Sequence, residues 1–188
     1  MAKKSKTTTH WLQTTAVRVT RVHFVYVAAY IASIIVFDMW NLYTHTAIAQ
    51  LWTAAGLMLA VNTVLWYIAR MNFSNKNIYG AIVLFLIVAD IIFASYNVLW
   101  QRGLASKSVM LFAVPIITAA ALRSRSTLLA TTTLCAAAYS TVSVRYFFQH
   151  YGESYRVELY GTVGFYCAIF FVLAGLLAII ILPRTERF

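Results

Sequence analysis

Acid is what this chain has least of: five Asp and Glu among 188 residues, against fifteen Lys and Arg. Charged residues of both signs reach only 11%, where a soluble domain carries about a quarter. Cysteine is nearly missing too. Cys135 and Cys167 stand alone, without CxxC spacing, inside apolar blocks, and read as small packing residues. The seven glycines are scattered and form no Walker-type loop, and Gly161-x-x-Gly164 is too sparse for a phosphate cradle. There is no GxSxG, no HExxH, and no pair of histidines at haem-ligating spacing. With these signatures missing, the expectation is a non-enzyme, and no cofactor is assigned.

What the chain has instead is oil. Hydrophobic residues make up 62%, and the mean hydropathy is +0.75. They come in blocks of about the 20 residues that an α-helix needs to cross a bilayer core. The expected fold is therefore all-α: a polytopic integral membrane protein with six transmembrane helices in one bundle. The spans are placed near 19–40, 48–69, 79–100, 107–122, 126–148 and 159–182. Around this membrane domain, 19–182, lie a basic N-terminal segment, 1–18, and a tail, 183–188. Residues 8–20 are expected to form a short interfacial helix anchored by Trp11. "MAKKSK" is not followed by an apolar stretch or a cleavage site, so no removed signal is expected.

The basic residues set the orientation. With the N-terminus inside, eleven of the fifteen Lys and Arg fall on the cytoplasmic side. Four fall outside: Arg102, Lys107, Arg145 and Arg156. That asymmetry predicts both termini in the cytoplasm. The positive charge therefore serves the lipid bilayer, and no basic stripe interleaved with aromatics points to nucleic acid. Trp40, Tyr43, Trp52, Tyr96 and Trp100 mark outer edges; Trp66, Tyr67 and Tyr79 mark inner ones. Helix packing is expected at Ala28/Ala32, Gly56/Ala60 and Ala174/Ala178, where small residues four apart allow close approach. The fifth span, dense in Thr, Ser and Ala, is expected in the interior. Pro115, inside the fourth, is expected to kink it.

The polar side chains at membrane depth are the candidate site. Asp90 sits mid-span in "VLFLIVADIIFASYN", where a charged Asp costs on the order of 3 kcal/mol. Asn97 follows seven residues on, on the same helix face, and Asn62 lies at comparable depth. These three form either a polar track for a small or lipophilic ligand, or a hydrogen-bonded packing cluster. His23 reads as a hydrogen-bonded core or snorkelling histidine. The outer rim gathers Asp38, His45, Arg145, His150, Glu153, Arg156 and Glu158. No metal-ligand spacing joins them, and the rim reads as solvated, with an Asp38–Arg145 ion pair.

Residues 89–140, "ADIIFASYNVLWQRGLASKSVMLFAVPIITAAALRSRSTLLATTTLCAAAYS", resemble the six-helix membrane sensor region of bacterial sensor histidine kinases. The resemblance rests on Asp90, Gly103, Ser106, Pro115-Ile116 and Arg123-Ser124-Arg125 in that order. It implies a multi-pass inner-membrane sensor that relays helix movement to the cytoplasm, and a homodimer or membrane partner subunit. No phosphorylatable-histidine helix or ATP-binding segment lies within the 188 residues. Two other classes suit the same features. One is the vitamin-like substrate-binding subunit of a transporter; the other is a structural subunit docking through the apolar sixth span.

Overall fold

The computed structural model describes residues 2–73, 75, 77–101, 106–150 and 156–181; side chains are described from Trp11 on, except that of Arg156. Among the described residues six α-helices follow in order: α1 Ala2–Met39, α2 His45–Arg70, α3 Asn77–Trp100, α4 Ala113–Ala120, α5 Arg125–Gln149 and α6 Arg156–Ile181. A 3₁₀ helix, Lys107–Phe112, leads directly into α4. Five segments, Trp11–Met39, His45–Arg70, Asn77–Trp100, Arg125–Gln149 and Val157–Ile181, are long and apolar enough to cross a membrane. The chain is an all-helical, multi-pass membrane protein.

The remaining segment, Lys107–Ala120, is shorter than a full span. Six residues at the 3₁₀ rise and eight at the α rise give it a length of about 24 Å, against a hydrocarbon core of about 30 Å. The expected kink in mid-helix at Pro115 is replaced by a change of helix type at Phe112/Ala113. Pro115 then falls in the first turn of α4, where an N–H has no intrahelical acceptor and proline does no harm.

The N-terminal end also differs from expectation. There is no separate helix over 8–20, because those residues belong to α1, whose 38 residues span about 57 Å. The segment contains no glycine or proline to break it. The helix stops at a Schellman closure. Asn41 turns left-handed (φ 51°), its N–H bonds Asp38 O, and the Leu42 N–H bonds Phe37 O, both at 3.0 Å. Thr44 then caps α2 through Ala47 N, and Ser124 caps α5 through Thr127 N.

The tertiary contacts divide the chain into two compact units, the first ending at Ala89 and the second starting at Asp90, within α3. The division follows from which helices pair: α1 with α2 in the first, and α5 with both α4 and α6 in the second. In the first unit α1 buries Ala16, Thr20, His23, Val27, Tyr30 and Ile34, and α2 buries Leu51, Ala55, Met58, Asn62, Leu65 and Ala69. Steps of four and three alternate in both runs. That alternation, two contacts per seven residues, is the seam of an antiparallel helix pair. The seam leaves Ala28, Ala32, Gly56 and Ala60 on exposed faces, so these small residues do not make the helix contact expected of them. Gly56 has nothing within 4 Å of where its Cβ would stand. Tyr79, expected to mark an inner edge, is buried against the protein. Its hydroxyl donates to Met71 O (2.8 Å) and accepts from Phe73 N–H (2.9 Å), tying down the connector before α3.

The core of the second unit is aromatic. Phe112, Tyr139 and Phe170 meet pairwise with centroids 5.8–6.0 Å apart, and Tyr166 stacks edge-on against Tyr139 at 5.7 Å. These separations lie in the favourable range for offset and edge-to-face rings. Ala174 is buried here, one small residue of the expected pairs that does face a neighbour. Helix α5 is not wholly interior. It buries Leu128, Thr131, Thr132, Cys135, Tyr139, Ser143 and Phe147 along one face and exposes Leu129, Thr133, Leu134 and Thr141. Its hydroxyls bond back to their own helix, as Thr132 to Leu128 O (2.8 Å) and Thr141 to Ala137 O (2.8 Å). Lipid offers these groups no other partner, so internal satisfaction lets a Thr-rich face remain in the membrane.

Candidate functional site: buried polar side chains at membrane depth

Asp90 lies thirteen residues into α3 and ten from its end, and it is fully buried. An ionisable group held there, out of reach of water, marks a functional candidate in a membrane helix. Asp90 is an electrostatic neighbour of the buried thiol of Cys135 on α5. Asn97 is equally buried and two turns further along the same face of α3. The expectation that Asp90 and Asn97 share a buried face agrees with these positions.

From Asn97 a chain of amides and hydroxyls runs past the end of α3. Asn97 donates through Nδ2 to Phe93 O at 2.8 Å and accepts at Oδ1 from Gln101 Nε2 at 3.2 Å. Gln101 Oε1 accepts the hydroxyl of Ser108 at 2.6 Å, and Ser106 Oγ caps the 3₁₀ helix by accepting Ser108 N–H at 3.0 Å. All four side chains are buried. Gln101 was missed because "QRGLASK" scans as a solvated connector, and Ser108 because it opens the expected fourth span, 107–122, where a single hydroxyl carries no signal. The available signal was spacing: Gln101 stands four residues after Asn97 and so extends the Asp90–Asn97 stripe by one turn. Gly103, part of the family resemblance, lies outside the described residues.

Asn62 sits in the first unit and is engaged there. Its Nδ2 donates to the carbonyl of Thr20 at 3.1 Å across the α1–α2 seam, and both residues are fully buried. Its Oδ1 has no hydrogen-bond partner among the described residues. Asn62 therefore acts as an interhelical clasp. His23, one turn along the seam from Thr20, is a hydrogen-bonded core histidine with Nδ1 2.8 Å from Val19 O.

The rim residues are divided between the two units. Asp38 lies in the last turn of α1 and Arg145 on the last turns of α5, in different units, and both are exposed. His45 opens α2, and His150 stacks on Tyr146 with centroids 4.1 Å apart. Glu153 and the side chain of Arg156 lie outside the described residues. No group of three or more His, Cys, Asp or Glu side chains converges among the described residues. No family model, curated protein or solved structure matches the chain.

Proposed function

We propose that this protein is a non-enzymatic, sensor-type membrane module. A small or lipophilic ligand, or a proton, engages Asp90 in the second unit, and the response passes through the 3₁₀ segment to α4, α5 and α6. The observation that carries this reading is the placement of Asp90. It is fully buried at mid-helix, on the face whose next polar member, Asn97, begins the chain to Ser108. A group that must be neutral or paired to stay buried couples its occupancy to helix packing.

The relay has a physical means. Re-registering the six residues Lys107–Phe112 from 3₁₀ to α geometry shortens the segment by about 3 Å. Phe112, at its end, moves against Tyr139 and Phe170, which places the displacement on α5 and α6 together. Six crossings with both termini in the cytoplasm fit the eleven-to-four distribution of Lys and Arg. The short Lys107–Ala120 segment, about 24 Å long, then crosses where the bilayer thins locally to match it.

Dicyclohexylcarbodiimide, a lipophilic reagent for buried protonated carboxyls, tests the site. Wild type should be modified at Asp90, with changed deuterium exchange of the amides of residues 107–120. Asp90→Asn should keep its helix content and show neither effect. Unchanged exchange in labelled wild type would remove Asp90 as the trigger.

A second reading rests on α6, of whose most apolar stretch only 11% is buried. Such a face suits docking to a partner subunit, as in a transporter or a structural assembly. Isolation of the chain from native membranes as a lone monomer would remove it.

A further inference from the structure

A different feature stands in the first unit, where α2 ends alongside the N-terminal half of α1. A groove of about 320 Å³ is lined by Gln13, Thr14, Val17, Arg18, Arg21 and Arg70. Arg18 and Arg21 are one turn apart on α1, and Arg70 is the last residue of α2. The Arg70 guanidinium carbon lies 4.7 Å from the centroid of the Trp66 ring, a cation–π contact that steadies the charged group at the end of α2.

Three guanidinium groups repel one another when brought to a single groove. Among the described residues, Arg18, Arg21 and Arg70 form no ion pair and donate no hydrogen bond. Orientation in the membrane explains why basic residues collect at this end of the helices. It does not explain why three of them share one concavity without a counter-charge. Depth is informative too. Arg21 immediately precedes the apolar run that starts at Val22, and Arg70 immediately follows the one that ends at Ala69. Both therefore lie at the level of lipid headgroups, within reach of phosphate.

We propose that Arg18, Arg21 and Arg70 bind a phosphate oxyanion, in the manner of basic pockets between transmembrane helices that hold anionic headgroups. The planar forks of arginine match tetrahedral oxyanions in bidentate fashion. The volume sits at the small end of ligand sites, which suits a headgroup rather than a whole lipid. The phosphate comes either from an anionic phospholipid or from a free anion.

Native mass spectrometry of the full chain in neutral detergent tests this with phosphatidylglycerol, phosphatidylcholine and inorganic phosphate as probes. Wild type should retain one phosphatidylglycerol in preference to phosphatidylcholine, or one inorganic phosphate. Displacement of the lipid by millimolar phosphate identifies a free-anion site, and resistance to it identifies a headgroup site. Arg21→Gln should weaken binding about five-fold and Arg18→Gln/Arg70→Gln about twenty-five-fold, since each charge near the surface contributes a factor of that size. Arg125→Gln, which removes one exposed charge elsewhere, should leave binding unchanged. All three residues are exposed, so helix content by circular dichroism should match wild type in each variant. Equal binding by wild type, Arg21→Gln and Arg18→Gln/Arg70→Gln, or an equal drop in Arg125→Gln, would overturn the proposal.

Discussion

Replacing Asn62 separates a structural clasp from a ligand-binding amide. Its Nδ2 bonds Thr20 O at 3.1 Å, while its Oδ1 is buried with no hydrogen-bond partner among the described residues. Interhelical hydrogen bonds in membrane proteins contribute about 0.6 kcal/mol on average and reach about 1.7. A buried acceptor left unsatisfied costs about 1–3 kcal/mol. Leucine is close to asparagine in shape and removes both terms, so Asn62→Leu should lie within about 1 kcal/mol of wild type, on the more stable side. Asn62→Ala adds a cavity between α1 and α2 and should fall below it. Asn62→Asp puts a carboxylate at a fully buried seam position and should lose about 3 kcal/mol. Reversible unfolding in mixed micelles with increasing dodecyl sulfate, followed by far-ultraviolet circular dichroism, measures the series. The reasoning fails if Asn62→Leu loses more than about 2 kcal/mol, since the amide would then have a role that hairpin packing does not explain. It fails equally if Asn62→Asp matches wild type, which would mean that water reaches the seam.

Tyr79→Phe should destabilise the protein by about 1–2 kcal/mol in the same assay, because it strips partners from both Met71 O and Phe73 N–H; an unchanged transition would show that the connector is held by packing alone. Cysteines introduced at Lys4 and Arg184 report topology against a quiet background, since Cys135 is buried and Cys167 only partly accessible. In intact cells neither should react with a membrane-impermeant maleimide until the membrane is opened. Reaction of one alone would place the termini on opposite faces and leave Lys107–Ala120 as a segment that does not cross.

The Asp90–Asn97 stripe was legible because both residues break an apolar run at a helical interval. The rest of the polar chain was hidden, Gln101 in a connector where it looks like any solvated residue and Ser108 at the start of an expected span, until the backbone turns both inward. Asn62 was legible as a buried polar group, but its partner was a backbone carbonyl 42 residues away, and no side-chain pattern announces that. The arginine groove was also invisible, since Arg18 and Arg70 are brought together only by the pairing of α1 with α2.

The sequence alone determined that the chain is helical and, for most helices, their ends to within a few residues, although the first begins well before the expected residue 19. The second, for example, was expected over 48–69 and is observed as His45–Arg70. Lipid supplies no hydrogen bonds, so each apolar block must satisfy its backbone within itself, and local composition is enough information. Tertiary structure decided which face of each helix turns inward. A 3.5-residue seam starting at Ala16 sends Ala28 and Ala32 outward, whereas packing around the α2–α3 connector draws Tyr79 in. Rotation about a helix axis and register against a neighbour depend on contacts between residues far apart in sequence. In a chain that is apolar on every side, composition cannot choose among those faces.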